Sequence, residues 1–538
     1  MLKTFSLLAV MLCSVASRAA CLPITPEHPL PDGQWVIGDI QVIRHEVFDV
    51  KRKDTFWFHR FANRYHVLTK ESTVRDDLLF TSGAPLALTE LAETERLLRS
   101  RRYLRHAEVS IQSYCPHQNT VNILVESWDN WSLLPKIELG HEGGETKSAL
   151  GFSQDNWMGS GNQLQAEYFN DSERDGFQLR FMSPNIFGKY WRTSMSYADN
   201  SDGESYAFDL EKPFYRFNSP RAYGLKLAKD IKTISEYALG DEINEYNSNA
   251  EFLELYTGWT LSQQQDTVQH LLVGASMDER TFTANNATIW PVPADRDLSQ
   301  LWLGWEWIEA DYQKLQNIFL FHRTEDINFG WQANLRLGRL QQGWGASTSG
   351  WQWRASLQKN WVLSEQSWLI FNSDYQQLDA SRLPSQQRFG VHLRYIRHLT
   401  ERQVWISQLR WSWGKNLFRD ELTTLGGDDG MRAFPLYYQT GNKAVIASSE
   451  YRYITNWHVY QLFDVALAGF VDAGRAWDHP IQPNPLDQGT LYGYGIGLRI
   501  LPSHSSRGSI ISIDLAKPVS DNPDLSGWQW RLIAKREF

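Results

Sequence analysis

Hydrophobic and polar residues alternate strictly along most of the chain beyond Trp131, in segments of about ten residues. One segment sets four apolar residues against four polar ones, namely Trp351, Trp353, Ala355 and Leu357 against Gln352, Arg354, Ser356 and Gln358. The same alternation occurs at 163–168, 301–307 and 405–413. Because alternate residues of a strand point to opposite faces of a sheet, each segment predicts a strand with one apolar face.

A soluble β-sandwich and a transmembrane antiparallel β-barrel can both produce this alternation. The barrel is favoured because Trp and Tyr recur at strand ends, the second face carries Gln, Arg and Glu, and no helical pattern interrupts the region. A polar inner face indicates a water-filled lumen. At about 25 residues for each strand with its connection, residues 131–538 predict about sixteen strands, with fourteen or eighteen as alternatives.

The last strand of the barrel is predicted at the C-terminus. Its apolar residues share one parity, which is typical of the C-terminal signal on bacterial barrel proteins: Trp528, Trp530, Leu532, Ala534 and Phe538. Arg536 is the one exception on that face. We therefore expect this strand to close the barrel against the first one.

Residues 1–19 are predicted to be a signal peptide. Lys3 precedes an apolar stretch at 5–16, and small residues flank Arg18 before the expected cleavage point. The mature chain then retains Cys21 and Cys115, an even pair in an oxidising compartment. A disulfide between them is the expectation, with two free thiols as the alternative.

Residues 20–130 predict a small α+β domain with the order strand, helices, strand, strand. A strand at 35–49 precedes a helix whose Trp57, Phe61 and Tyr65 recur every four residues, an aromatic stripe expected in the core. Further helices are predicted at about 70–80 and 89–102, followed by a β-hairpin. The second of these helices and the residues after it carry a basic cluster of Arg96, Arg99, Arg101, Arg102 and Arg105. The cluster is interpreted either as a solvated helix face or as a contact with lipid headgroups or a client chain.

Composition excludes several classes of function. The net charge of −9 and the absence of a long basic block argue against nucleic acid as a partner. A mean hydropathy of −0.45 excludes a bundle of transmembrane helices, while 24 Trp residues suit a barrel. The chain contains no zinc, phosphate-loop or serine-hydrolase motif, so we expect no enzyme activity, no metal and no cofactor.

The succession of elements in residues 20–130 resembles a POTRA domain, the periplasmic module of outer-membrane assembly and transport proteins. Phrases such as Asp76–Phe80 and Glu93–Leu98 are similar to that family. Three stretches of the barrel resemble the BamA/TamA-like superfamily, of the bacterial surface antigen type: 150–161, 426–435 and 469–474. The resemblance implies a single periplasmic POTRA-like domain followed by an outer-membrane barrel.

The second stretch resembles a long extracellular loop that folds into the lumen, with Met431, Arg432, Ala433 and Phe434 at its tip. Ala433 stands where the family usually has Gly, which leaves the tip conformation open if that residue needs a positive φ. The third stretch resembles an inward-facing wall motif formed by Phe470, Asp472 and Gly474. The resemblance implies that Arg432 meets Asp472 inside the barrel, and that Glu450 and Arg452 join the same network.

The resemblance implies a protein that assists the insertion, assembly or translocation of polypeptides at the bacterial outer membrane. The expected partners are membrane lipids and client polypeptides or periplasmic proteins, bound through the POTRA-like domain. A dedicated secretion pore of a two-partner system is one alternative. A passive channel plugged by its loop, without client proteins, is another.

Overall fold

The computed structural model describes residues 21–25, 29–48, 57–142, 144–316, 318, 324–460, 462–480, 489–502, 510–520, 525 and 527–535. The predicted signal peptide, Arg536 and Phe538 therefore lie outside the described residues. No helix in the described part of the chain is long and apolar enough to cross a membrane.

The N-terminal part folds into a four-stranded sheet, in the order β1-β3-β4-β2, with three helices. Its elements are β1 (Leu22–Pro23), β2 (Val36–His45), α1 (Trp57–Tyr65), α2 (Glu71–Asp76), α3 (Leu88–Arg99), β3 (Leu104–Cys115) and β4 (Thr120–Asp129). β2 is parallel to β4, whereas β3 is antiparallel to both β1 and β4. A disulfide joins Cys21 to Cys115 and so ties the start of the described chain to the end of β3.

The core of this domain lies between the sheet and helices α2 and α3. It includes Ile37, Val74, Leu98 and Ile123, all of which are almost completely buried.

The prediction that the aromatic stripe of α1 belongs to this core is wrong. Trp57, Phe61 and Tyr65 are 75%, 51% and 62% exposed. The helix docks through its opposite face, because the His59 ring stacks on Phe48 at 4.4 Å.

The rest of the chain is mainly β. Its strands are β5 (Leu133–Glu142), β6 (Glu145–Trp157), β7 (Asn162–Asn170), β8 (Asp175–Ser183), β9 (Arg192–Asn200), β10 (Gly203–Lys212), β11 (Arg221–Ala238), β12 (Asp241–Gln263), β13 (Thr267–Thr283), β14 (Arg296–Asp297), β15 (Gln300–Glu309), β16 (Tyr312–Gln316), β17 (Thr324–Asn328), β18 (Gln332–Leu340), β19 (Gly350–Ser364), β20 (Ser367–Ala380), β21 (Leu383–Thr400), β22 (Gln403–Lys415), β23 (Thr423–Leu425), β24 (Gln439–Gly441), β25 (Lys443–Val459), β26 (Phe463–Trp477), β27 (Leu491–Pro502), β28 (Ile510–Val519) and β29 (Gln529–Lys535).

These strands form a closed antiparallel barrel of 20 strands, to which the two-residue β14 adds a short pairing with β13. The predicted number of about sixteen is therefore wrong. The assumed 25 residues for each strand and connection were too many, because several hairpins close through two residues. Between β11 and β12, for example, Leu239 and Gly240 both have positive φ, 57° and 92°, as a tight hairpin turn requires.

The two faces of the wall differ as the alternation predicts. Outward residues such as Trp353, Val471 and Ile496 are exposed, at 39%, 57% and 63%. Inward residues such as Gln352 and Asp472 are buried, at 2% and 3%. An apolar outer belt around a polar interior is the arrangement that a bilayer requires of a barrel.

The N-terminal domain sits at one end of the barrel, here called the proximal end. Lys70 N donates to Gly159 O at 2.9 Å, and Tyr190 Oη donates to Leu78 O at 2.7 Å. Both barrel residues lie in connections, β6–β7 and β8–β9, that leave the same end of the wall. The long connection between β22 and β25 leaves the opposite, distal end.

Candidate functional site

The connection between β22 and β25, residues 416–442, folds back from the distal end into the lumen. Its tip is fully enclosed: Met431, Ala433 and Phe434 are at most 1% exposed and pack with Phe470 of the wall. The short ribbon β23–β24 forms the stem of this segment, which we call the lumen loop.

Arg432 anchors the lumen loop to the wall. Its Nε and Nη2 donate to the two carboxylate oxygens of Asp472 at 2.8 and 2.7 Å, a bidentate contact. Its Nη1 donates to Glu450 Oε2 at 2.6 Å and its Nη2 to Ser448 Oγ at 3.0 Å. The guanidinium also lies 3.5 Å from the centre of the Phe470 ring, a cation–π contact.

The register of β25 and β26 explains why these groups meet. Ser448 pairs with Asp472, and Glu450 pairs with Phe470. Four polar and aromatic side chains therefore project from one patch of the inner wall towards Arg432. The patch is largely excluded from water, since the side chains of Arg432 and Asp472 are only 9% and 1% exposed.

Glycines in the wall make room for the loop tip. A Cβ at Gly474 would lie 3.0 Å from Met431 Sδ, and one at Gly493 would lie 3.0 Å from Ala433 Cβ. A methyl group at Gly495 would collide with the Phe470 ring and with backbone. Gly474, which the sequence singled out, therefore contributes by leaving space for the Met431 side chain.

The question raised by Ala433 has a structural answer. Its φ is not positive, so alanine fits the tip without strain. The positive φ values of the lumen loop belong to Asn416, Gly426, Gly430 and Tyr437, at 54°, 157°, 106° and 54°.

The charge network continues along the inner wall. Glu450 accepts from Arg452 Nε at 2.6 Å and from Arg499 Nη2 at 2.7 Å, in addition to Arg432. Arg499 then donates to Asp514 at 2.6 Å.

Arg499 and Asp514 carry no motif and were not identified from the sequence. They alternate with the apolar residues of β27 and β28. This alternation places both side chains on the inner face of the wall and is the sequence feature by which they could have been identified.

The barrel closes through a weak seam between β29 and β5. Among the described residues, which end at Lys535, a single aligned pair, Leu532 with His141, joins these strands, and the His141 and Trp530 rings stack at 4.0 Å. Beside the seam lies a cavity of about 560 Å³, lined by Lys136, Gly140, Leu532 and neighbouring residues. Every other pair of neighbouring wall strands, the two-residue β14 aside, is aligned over at least seven residues.

The residues of the predicted C-terminal signal are distributed around this seam. Trp528 and Trp530 are about half exposed on the outer face, at 52% and 53%. Leu532 pairs across the seam, and Ala534 pairs with Ile511 of β28.

A β-hairpin inside the lumen closes the proximal end of the barrel. β16 and β17 form a hairpin, here the proximal hairpin, between the wall strands β15 and β18. Ile327 of β17, with Ile318 and Phe329 beside it, packs against inner-wall residues that include Trp368 and Ile396. The proximal hairpin therefore occupies the lumen at the end where the N-terminal domain sits.

Helix α3 is clamped onto the proximal hairpin. Arg99 donates to both carboxylate oxygens of Asp326 at 2.7 Å, and Glu95 pairs with Arg99 and with Lys314. The guanidinium of Arg96 lies 3.7 Å from the centre of the Tyr312 ring.

The basic cluster is therefore not a solvated face in this region, because Arg96 and Arg99 dock the domain onto the barrel. Arg101 and Arg102 are also held, by Asp77 and Gln163 respectively. Burial raises the pKa of Glu95, but hydrogen bonds from Lys314 and Arg99 outweigh it and lower that pKa.

A cavity of about 790 Å³ separates α3 from the inner wall at this end. Arg192, Tyr256 and Glu306 of the barrel line it. His270 is 2% exposed in the same cavity and stacks on Phe214 at 3.6 Å. No group of His, Cys, Asp and Glu able to hold a metal occurs among the residues that the structure describes.

No protein family and no curated protein matches the chain. Among solved structures, CdiB from Acinetobacter baumannii is 13% identical over 93% of this chain and 73% of that chain, with a TM-score of 0.46. CdiB from Escherichia coli is 13% identical over 96% of this chain and 94% of its own, with a TM-score of 0.39. BamA from Haemophilus ducreyi lacking POTRA domains 1–3 is 13% identical over 96% of this chain and 89% of its own, with a TM-score of 0.37.

Proposed function

We propose that this chain is a bacterial outer-membrane barrel that assists the insertion, assembly or translocation of polypeptides. The observation that carries the proposal is the seam, where the described residues of the first and last wall strands share a single aligned pair, Leu532 with His141. The motif resemblance to the BamA/TamA-like superfamily supports the same function. The distal end then faces outward and the proximal end, with its POTRA-like domain, faces the periplasm.

A weakly paired seam suits this function because an open strand edge is a template for another strand. Unpaired backbone N–H and C=O groups of β5 would bind a client strand by adding it to the sheet. Full pairing would remove that edge, and an open sheet would aggregate. A seam whose described residues share one aligned pair and one ring stack lies between these extremes.

The lumen loop, through Arg432, holds the neighbouring wall strands together while the seam opens. Arg432 ties the loop to β25 and β26, and Arg499 with Asp514 extends the network to β27 and β28. These strands are the four that precede the C-terminal strand. The network therefore stiffens the side of the barrel on which β29 closes.

A dedicated secretion pore is the second candidate, and the cavity beneath α3 favours it. The cavity opens from the domain onto the inner wall and would admit an extended polypeptide once the proximal hairpin moves. In this case clients would pass along the lumen and the seam would stay closed.

The test is to lock the seam. A His141→Cys/Leu532→Cys variant places a disulfide across the aligned pair of the seam, and Leu150→Cys/Tyr168→Cys places one across an ordinary wall pair as the control. Each variant would replace the wild type in a depletion strain, followed by quantification of the outer-membrane proteome.

Loss of many barrel proteins with the seam lock, but not with the control, would establish assembly through the seam. Loss of one secreted species upon depletion, with both locked variants active, would establish the dedicated pore instead. An unchanged proteome upon depletion would refute both and leave a passive, plugged channel.

A further inference from the structure

We propose that α1 is an interfacial helix that lies on the periplasmic leaflet of the outer membrane. Its partner is the phospholipid surface itself, among whose headgroups Trp57, Phe61 and Tyr65 insert. The inference concerns how the N-terminal domain is held at the membrane and is independent of which polypeptide the barrel handles.

The first observation is the composition of the exposed face of α1. Trp57, Phe61 and Tyr65 lie at four-residue spacing on one side of the helix and are 75%, 51% and 62% exposed. Their rings contact one another, with centroids 6.3 and 4.5 Å apart. Three large aromatic side chains that touch one another in one exposed row mark an interaction surface.

The second observation is charge. Arg60 and Arg64 are exposed, and the helical repeat places them along one border of the aromatic row. Aromatic rings flanked by arginines are typical of helices that lie in the headgroup region, where the rings meet the acyl boundary and the guanidinium groups meet phosphates.

The third observation is position. On the opposite face of α1, Asn63 makes two hydrogen bonds to the backbone of Phe48, at 3.1 and 2.7 Å. Phe48 and the adjacent Val47 pack against Trp131 and Leu462. Leu462 lies in the connection between β25 and β26, at the proximal end of the wall, so the helix is fixed beside the rim of the barrel.

The rim beside Leu462 already carries interfacial residues. Trp457 and Tyr460, near the end of β25, are both 64% exposed. Trp and Tyr in such positions form the aromatic belts of membrane proteins at the headgroup level. The stripe of α1 therefore continues the lipid-contacting belt of the barrel, and this continuity favours a membrane over a protein partner.

The experiment places an environment-sensitive nitrobenzoxadiazole label on the stripe in the full-length protein. Phe61→Cys is compared with Gln118→Cys, an exposed position in the β3–β4 turn. Gln118 lies at the end of β4 remote from the barrel, roughly 33 Å away along ten residues at 3.3 Å each. Labelling is done without reductant, so that the bond between Cys21 and Cys115 survives.

Both proteins are reconstituted into vesicles of phosphatidylethanolamine and phosphatidylglycerol, with and without lipid that carries a doxyl quencher near the headgroup. We expect blue-shifted emission and strong quenching at position 61, with neither effect at position 118. Adding Trp57→Ser and Tyr65→Ser to the Phe61→Cys background should abolish the quenching while the barrel keeps its heat-modifiability.

Three results would overturn the proposal. If the label at position 61 emits at the same wavelength as the label at position 118, the aromatic row is exposed to water. A blue shift without lipid quenching would show a stripe covered by protein, either a partner or a second copy of the chain. Quenching that survives loss of Trp57 and Tyr65 would show that the aromatic row does not hold the helix at the membrane.

Discussion

Replacing Arg432 with alanine should release the lumen loop from the inner wall. The substitution removes the bidentate contact with Asp472, the hydrogen bonds to Glu450 and Ser448 and the contact with the Phe470 ring. The loop keeps its buried apolar tip, so the prediction concerns a shift in docking and not loss of the barrel.

The magnitude follows from which carboxylate loses its partner. Glu450 retains Arg452 and Arg499, whereas Asp472 is left with the hydroxyl of Ser448 at 2.7 Å. Asp472 is 3% exposed and, among the described residues, becomes a buried carboxylate without a cation in direct contact. Breaking such a pair costs about 3 to 5 kcal/mol. The docked population should therefore fall by roughly 100-fold to several thousand-fold relative to the undocked one.

Limited proteolysis of residues 416–442 and heat-modifiability on gels report the docked loop. Arg382→Ala is the matched control, because Arg382 is exposed in the two-residue turn between β20 and β21. Adding Asp472→Asn to Arg432→Ala should recover part of the loss, since it removes the unpaired charge. Wild-type protease resistance and heat-modifiability in Arg432→Ala would refute the reasoning.

Three further predictions rest on other contacts. Gly495→Ala should destabilise the barrel by about 1 to 3 kcal/mol, because the added methyl group collides with backbone and with a packed ring. Gly469→Ala is the control, because a methyl group there has no atom within 4 Å. Thermal unfolding in detergent distinguishes the two variants. The lowered pKa of Glu95 means that its stabilisation of the clamp on the proximal hairpin is present above pH 4.5 and is lost as the pH falls below that value. Hydrogen exchange of the hairpin, corrected for intrinsic rates, should rise accordingly, and it should depend less on pH in Glu95→Gln, where only the Asp326 carboxylate still holds Arg99. Cys115→Ser should destabilise the N-terminal domain by about 2 to 5 kcal/mol, since its bond to Cys21 spans a sequence separation of 94, while heat-modifiability of the barrel stays normal.

The alternation of apolar and polar residues predicted the strands, because lipid and lumen impose a period of two on every wall strand, and the polar second face with Trp and Tyr at strand ends favoured a barrel over a sandwich. The number of strands was not predictable in the same way. It depends on connection lengths, and a two-residue turn such as Leu239–Gly240 leaves little trace in a hydrophobicity pattern. Strands that extend beyond the bilayer, such as the 23-residue β12, add further ambiguity.

The candidate site was predictable only where a motif marked it. Arg432 and Asp472 lie in recognisable stretches, whereas Arg499 and Asp514 are isolated charges in ordinary alternating strands. Their partnership depends on register between β27 and β28, which a single sequence does not reveal. The aromatic row of α1 illustrates a different limit, because periodicity identifies an apolar face without saying what lies against it.

The unequal lengths of the wall strands bear on the bilayer around the protein. β5 and β28, near the seam, have ten residues each, whereas β12 has 23. At a tilt of about 45° and 3.3 Å per residue, ten residues span about 23 Å, which matches the usual apolar band of about 25 Å. Ten residues at this tilt are thus just enough to cross the bilayer, so the additional residues of β12 should project beyond the headgroups.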